Sequence, residues 1–107
     1  MYIYNVTVNV DDSIHDEWLD WMKNEHMPQM LGLGKFTNAL MSKVMAQVDS
    51  GTTYAIQYQT DSKETLEKYY KEDADLLRQE GLKKFGDKFV AFRTELDVVA
   101  IQDAKKE

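Results

Sequence analysis

The sequence predicts one α+β domain of the ferredoxin-like type, with elements in the order β-α-β-β-α-β. Alternating apolar residues mark strands at both ends of the chain, two further strand-like segments lie in its middle, and helical spacing fills the two intervals between them. This order describes two split βαβ units, which place both helices on one face of a four-stranded antiparallel sheet. A chain of 107 residues has room for one such domain.

The first half supplies a strand, a helix and a second strand. Residues Tyr2–Val10 alternate between apolar and polar types, as in a strand with one covered face. Asp11, Asp12 and Ser13 offer caps for a helix that we expect to end near Glu25 or His26. Pro28 disfavours helical geometry before it, so a turn is expected between His26 and Lys35. The second strand is predicted over Phe36–Val48.

The second half repeats the pattern. A third strand over Tyr54–Thr60 follows the turn residues Asp49, Ser50 and Gly51, so the two central strands are predicted to form an antiparallel hairpin. Ser62 and its neighbours cap a second helix that continues to Phe85, with an interruption near Glu72 to Ala74. The last strand is predicted over Phe89–Ile101. We therefore expect one domain over residues 1–101 and a polar tail over 102–107.

Alternation divides the strand residues between two faces. The face expected beneath the helices contains Val6, Val8, Val10, Phe36, Leu40, Val44, Tyr54, Ile56, Tyr58, Val90, Phe92, Leu96 and Val98. The opposite face is mixed, with Asn5, Thr7, Asn9, Lys43, Gln57, Gln59, Arg93, Glu95 and Asp97 beside Ile3, Ala39, Met41, Met45, Ala55 and Ala91. Such a face is either solvated or packs against a second copy. The second interpretation is favoured, because Met41, Met45, Ile3 and Ala91 suit open water poorly.

Composition excludes several kinds of partner. Thirteen Lys and Arg residues against nineteen Asp and Glu residues give a net charge of −6, which argues against binding nucleic acid or an anionic membrane. Cysteine is absent, which removes disulfides, thiolate metal sites and a cysteine nucleophile, and fits a reducing compartment. The N-terminus lacks a signal-peptide pattern, and no segment approaches the roughly 18 apolar residues of a membrane span. We expect a cytoplasmic protein without a metal or cofactor.

His26 is the candidate catalytic residue. A histidine titrates near neutral pH and can act as a general acid or base. Adjacent helical residues diverge by about 100°, so Glu25 does not orient His26 while the helix persists. The alternative interpretation is that His26 packs or caps at the helix C-terminus, where a cation is favourable.

The ligand-binding candidates are the polar residues Asn5, Gln57, Arg93 and Glu95 on the mixed face. Polar groups that become buried there need partners, which a ligand can supply. Arg93 has a planar fork suited to a carboxylate, and Glu95 is an alternative internal partner for it. We predict a ligand site between this face and His26, for a small anionic or oxygen-rich molecule.

Three stretches of the sequence resemble a known family. They are Trp18–Met22 with Glu25–Pro28, then Gly34–Thr37, and above all Gly81–Leu96. These stretches resemble the uncharacterised bacterial domain-of-unknown-function family 4286, over nearly the whole chain. The resemblance implies the dimeric α/β-barrel superfamily, in which two ferredoxin-like units pack sheet to sheet.

That superfamily includes cofactor-independent monooxygenases, haem-degrading enzymes, mutarotase-like enzymes and noncatalytic ligand binders. Haem-degrading members carry an Asn on the first strand, which Asn5 matches, together with a Trp and a second-helix His. The stretch Ser62–Lys88 contains neither His nor Trp, which argues against haem degradation. Other members place a working His at the end of the first helix, a position that His26 resembles.

Two classes of function fit these observations. The favoured one is a homodimeric small-molecule-binding protein, with enzymatic activity left open. The alternative is a noncatalytic dimerisation or interaction module with no ligand, in which the mixed face only makes the dimer.

Overall fold

A single antiparallel sheet with four strands forms one layer of the molecule, and a helical layer covers one of its faces. The computed structural model describes residues 1–46 and 49–105. The strands are β1 (Tyr2–Val10), β2 (Asn38–Lys43), β3 (Thr52–Thr60) and β4 (Phe89–Asp97), in the spatial order β2-β3-β1-β4. The helices are α1 (His15–Trp21), α2 (Met27–Gly32), α3 (Lys63–Glu72) and α4 (Ala74–Phe85). The predicted ferredoxin-like α+β fold is confirmed.

The first helical segment is longer than its sequence suggests. It begins after Asp11, whose carboxylate accepts a hydrogen bond from the Ser13 backbone N–H at 2.9 Å. The predicted end near His26 is wrong, because a π-helical turn over Met22–His26 joins α1 to α2 without a break. Pro28 lies directly after this π-helical turn and does not end the helix.

The second helical segment is interrupted where the sequence predicts. Ser62 caps α3 by accepting a hydrogen bond from the Thr65 backbone N–H at 3.2 Å, and Asp73 separates α3 from α4. The Lys35 ammonium lies 2.6 Å from the Asp73 carboxylate and 3.0 Å from that of Glu72. These ion pairs of Lys35 connect the loop after α2 to the break between α3 and α4.

The two edge strands are shorter than predicted. β2 covers Asn38–Lys43 rather than Phe36–Val48, and Val48 lies outside the described residues. β4 ends at Asp97 rather than Ile101, because its neighbour β1 pairs only from Tyr2, which lies opposite Asp97. One further hydrogen bond, from the Val98 N–H to the Met1 carbonyl, extends this ladder.

One hydrophobic core lies between the helices and the sheet. Even-numbered residues of β1 and β3 point into it, as the alternation predicts. Phe36, just before β2, and residues from all the helical segments complete it. Its buried members are Tyr4, Val8, Val10, Trp18, Met22, Met30, Phe36, Tyr54, Ile56, Tyr58, Leu66, Tyr69, Ala74, Leu77 and Phe85.

The predicted faces of β2 and β4 are reversed. Residues directly opposite each other in an antiparallel pair share a face. Arg93 lies opposite Val6 and Ala91 opposite Val8, so both belong to the helix side, and Met41 does too because it lies opposite Ile56. The face away from the helices, called the open face below, therefore carries the apolar residues Leu40, Val90, Phe92 and Leu96. The alternation of apolar and polar residues indicates that an edge strand has two faces, but it does not indicate which face the helices cover.

Gly51 is required by the connection into β3. Its φ is 75°, and a Cβ built on it would lie 2.6 Å from the Val10 carbonyl oxygen. We expect Gly51→Ala to lower the free energy of unfolding by about 1–3 kcal/mol, because a strained backbone and a steric clash combine there. Urea unfolding measures this change.

The matched control is Gly32→Ala at the end of α2, where an added Cβ meets nothing within 4 Å. That change should leave stability equal or slightly higher, since alanine favours a helix over glycine by about 0.5–1 kcal/mol. Equal stabilities of the two variants would contradict the role given to Gly51.

Candidate functional site

A cleft with a volume of about 70 Å³ opens between the helical layer and the sheet. Its floor is formed by Tyr4, Val6 and Val8 of β1 with Ile56 and Tyr58 of β3. Its walls come from Trp18, Trp21, Met22 and His26 on one side and from Leu77, Arg78 and Gly81 on the other. Phe89, Ala91 and Arg93 of β4 lie along its third side. One ordered water needs only roughly 10–15 Å³, so the cleft has room for a small molecule.

The π-helical turn places His26 in this cleft. Within the turn the Met27 N–H donates to the Met22 carbonyl, five residues earlier, so residues five apart lie nearly above one another. Trp21 and His26 have this spacing, and their rings stack with centroids 4.7 Å apart at 24°. Ordinary helical spacing predicts that Glu25 faces inward, whereas the structure leaves Glu25 exposed and turns His26 inward. π-turns of this kind are frequent at functional sites.

His26 is neutral at physiological pH. Burial lowers its pKa to about 4, the Glu80 carboxylate opposes this shift, and the Arg93 guanidinium adds to it. Its Nδ1 atom is buried and finds no hydrogen-bond partner among the described residues. A neutral, oriented imidazole with a free nitrogen can exchange a hydrogen bond with a molecule in the cleft.

Two other cleft residues also have unsatisfied buried atoms. The Tyr58 hydroxyl and the Arg78 Nε are buried and have no hydrogen-bond partner within residues 1–46 and 49–105. The Arg78 Nη2 donates to the Tyr4 hydroxyl at 3.2 Å, which fixes the guanidinium at the cleft wall. Leaving a buried polar group unsatisfied costs roughly 1–3 kcal/mol. The three residues all line the cleft, and the three atoms are shielded from solvent within its walls.

The tyrosines of the cleft keep their protons. Burial raises the pKa of the Tyr58 and Tyr69 phenols well above the ordinary value. Next to them, burial and the nearby Glu95 carboxylate raise the pKa of Tyr70 to about 12. At neutral pH these phenols therefore remain hydrogen-bond donors.

The residues proposed from the sequence lie on both sides of the sheet. Asn5 and Gln57 are directly opposite each other on the open face, where the Asn5 amide donates to Thr7 Oγ1 at 3.3 Å and to Thr94 Oγ1 at 3.1 Å. Arg93 and Glu95 lie on the helix side. The structure thus brings His26 and Arg93 to one cleft, places Glu95 beside Tyr70 outside the lining, and separates Asn5 and Gln57 from all of them.

Sequence reasoning missed Arg78, Tyr58 and Trp21 as site residues. One signal was available, because Arg78 and Arg93 are the two arginines of the whole chain and both line the cleft. The stacking of Trp21 on His26 left no such signal, since it depends on the π-helical turn.

The described part of the chain contains no cluster of His, Asp or Glu side chains arranged to hold a metal ion. None of its helices is long and apolar enough to cross a bilayer.

Comparison with known proteins identifies a family and a fold. The family model described as Domain of unknown function (DUF4286) matches residues 1–99. No curated protein sequence matches the chain.

Solved structures agree in fold at low sequence identity. An ethyl tert-butyl ether D (EthD) family protein from Bacillus halodurans C-125 has a TM-score of 0.66 and 11% identity over 88% of this chain and 97% of its own. A dimeric ferredoxin-like protein from an uncultured marine organism has a TM-score of 0.66 and 19% identity over 97% and 100%. A protein from Arabidopsis thaliana has a TM-score of 0.63 and 14% identity over 92% and 99%.

Proposed function

The chain belongs to the DUF4286 family, and we propose that it is a homodimeric binding protein. Its ligand is a small anionic or oxygen-rich molecule, which binds in the cleft between the helices and the sheet. The observation that carries this proposal is that His26, Tyr58 and Arg78 all line one cavity and that each has a buried polar atom without a partner in the described structure. A polar guest supplies partners for these side chains, whereas a cleft that only packed helices on a sheet would be lined by apolar side chains.

The homodimer is supported by the open face. Leu40, Val90, Phe92 and Leu96 are all exposed there, although large apolar side chains normally avoid water when they occur together. Asn5 Oδ1 is buried on the same face and has no hydrogen-bond partner in the described chain. One of the similar structures is a dimeric ferredoxin-like protein. A second copy packed through this face covers the apolar residues and brings polar groups to Asn5.

The open face also favours the second candidate function, a noncatalytic interaction module. In that case dimerisation is the whole role of the sheet and the cleft holds only water. The two functions differ in whether a small molecule stabilises the protein through the cleft.

Ligand-induced thermal stabilisation tests the proposal. Aromatic acids, sugars, quinones and haem form the panel, and a specific ligand raises the melting temperature by mass action. We expect Ala91→Leu to abolish the rise seen with wild type, because the added side chain fills the cleft opposite Val8.

The matched control is Ala100→Leu, an equal change at an exposed position outside the cleft, which should respond like wild type. A rise that persists in Ala91→Leu would place the ligand elsewhere. If no compound in the panel stabilises wild type, the interaction module replaces the binding protein.

A further inference from the structure

The charged side chains of the cleft lining are the two arginines, which only donate. Trp21 adds an indole N–H, whereas the tyrosine hydroxyls and the neutral His26 ring can both donate and accept. No carboxylate lines the cleft in the described part of the chain. This lining favours an anionic guest over a cationic one.

The positive charge of the cleft is unusual for this chain. The chain has a net charge of −6 and contains only two arginines, yet both line this one cavity. Neither arginine forms an ion pair with a carboxylate among the residues that the structure describes. Glu80 accepts a hydrogen bond from Gln29 at 3.2 Å, and Glu95 lies beside Tyr70. Two guanidinium groups thus remain available to an anion.

The rest of the lining selects the shape of that anion. The stacked rings of Trp21 and His26 line the cleft together with the apolar side chains of Val6, Phe89 and Ala91. A volume of about 70 Å³ is smaller than the roughly 150 Å³ of a protein cavity that encloses benzene, so a ring fits only if part of it extends from the open side of the cleft, and a nucleotide is excluded. An apolar wall also penalises a phosphate dianion, which is strongly hydrated, more than a monoanion.

We propose that the cleft binds a small planar monocarboxylate, whose carboxylate is held by Arg78 and Arg93 and whose apolar body lies between the Trp21–His26 stack and β4. An arginine fork can bind both oxygens of a carboxylate, which gives it an advantage over lysine at this position. The guest also lies against His26 and Tyr58, whose side chains line the cleft. This inference rests on the proposed ligand-binding function and specifies its ligand class.

Calorimetric titration with benzoate, benzamide and inorganic phosphate tests the ligand class. Benzoate and benzamide have nearly the same shape but differ in charge. We expect benzoate to bind at least tenfold more tightly than benzamide, and phosphate not to bind. Equal binding of benzoate and benzamide, or tighter binding of phosphate, would overturn the proposal.

Variants at the two arginines test the geometry. Arg78→Lys keeps the charge but loses the fork, and Arg93→Gln removes the charge at an exposed position where folding should be preserved. Each should weaken benzoate binding at least tenfold, whereas Lys84→Met, at an exposed lysine outside the cleft, should leave it unchanged. Unchanged affinity in Arg93→Gln would overturn the proposal even if Arg78→Lys failed to fold.

The His26 ring gives a readout independent of affinity. A carboxylate bound nearby stabilises the imidazolium, so saturation with benzoate should raise the His26 pKa observed by NMR, and benzamide should not.

The proposed ligand-binding function and the proposed ligand class fail on different results. If a neutral compound stabilises wild type but not Ala91→Leu while benzoate does not bind, only the proposed carboxylate ligand class is wrong. If neither benzoate nor any compound in the panel binds, the ligand-binding function is wrong as well.

Discussion

Replacing Phe92 with glutamate should convert the proposed homodimer into monomers. Phe92 is 69% exposed and lies on the open face, so the proposed dimer buries it against the partner. In a two-fold interface the substitution places two carboxylates in an apolar contact, where an unpaired charge costs several kcal/mol. We expect the dimer dissociation constant to rise at least about 100-fold, since each 1.4 kcal/mol is about tenfold. Sedimentation equilibrium measures it directly.

The control for this experiment is Leu82→Glu. Leu82 is 54% exposed but lies on α4, in the helical layer and away from the open face. The control should dimerise like wild type, and circular dichroism should show that both variants remain folded. A wild-type protein that light scattering reports as a monomer at micromolar concentration would remove the dimer altogether.

Trp18→Ala should have the largest effect on stability within one chain. Trp18 is 2% exposed, and its ring centroid lies 5.3 Å from that of Tyr54 in the core. Removing a buried indole leaves a void, and such changes cost about 3–5 kcal/mol. Trp18 also borders the cleft, so the void enlarges an existing cavity and the surrounding residues have little to collapse onto.

Urea unfolding at matched protein concentration measures this loss, because the stability of a dimer depends on concentration. Leu76→Ala is the control, since Leu76 is exposed on α4 and its truncation should change stability by less than about 0.5 kcal/mol. A loss below about 1 kcal/mol for Trp18→Ala would contradict its place in the core.

The fold was predictable because its signals are local and repeated. The alternation in Tyr2–Val10 and Tyr54–Thr60, and the cap at Ser62, each indicate an element without knowledge of the others. The interruption at Asp73 was predicted for the same reason. The phase of β4 was not predictable in this way, because its larger apolar residues, Phe92 among them, lie on the face that the helices leave open. The hydrophobicity of a side chain indicates that it is covered, but it does not indicate whether the helices or a second copy of the chain covers it.

The site was predictable only in part. His26 and Arg93 were chosen for their chemistry, and they line the same cleft. Asn5 and Gln57 lie on the face predicted for them, whereas Arg93 and Glu95, predicted beside them, lie on the helix side because the predicted phase of β4 was reversed. Arg78 stands out only as one of two arginines in the chain, and its place in the cleft depends on tertiary packing that its sequence neighbours do not indicate.

The π-helical turn also makes the cleft sensitive to chain length. A π-helical turn holds one residue more than a regular turn, so loss of one residue between Met22 and His26 lets α1 and α2 join as a regular helix. The residues after the deletion keep their facing, and Met30 stays in the core. What changes is the local widening of the helix beside Trp21 and His26. Among natural variants of this protein, we therefore expect single-residue differences in length at this turn that leave the fold unchanged.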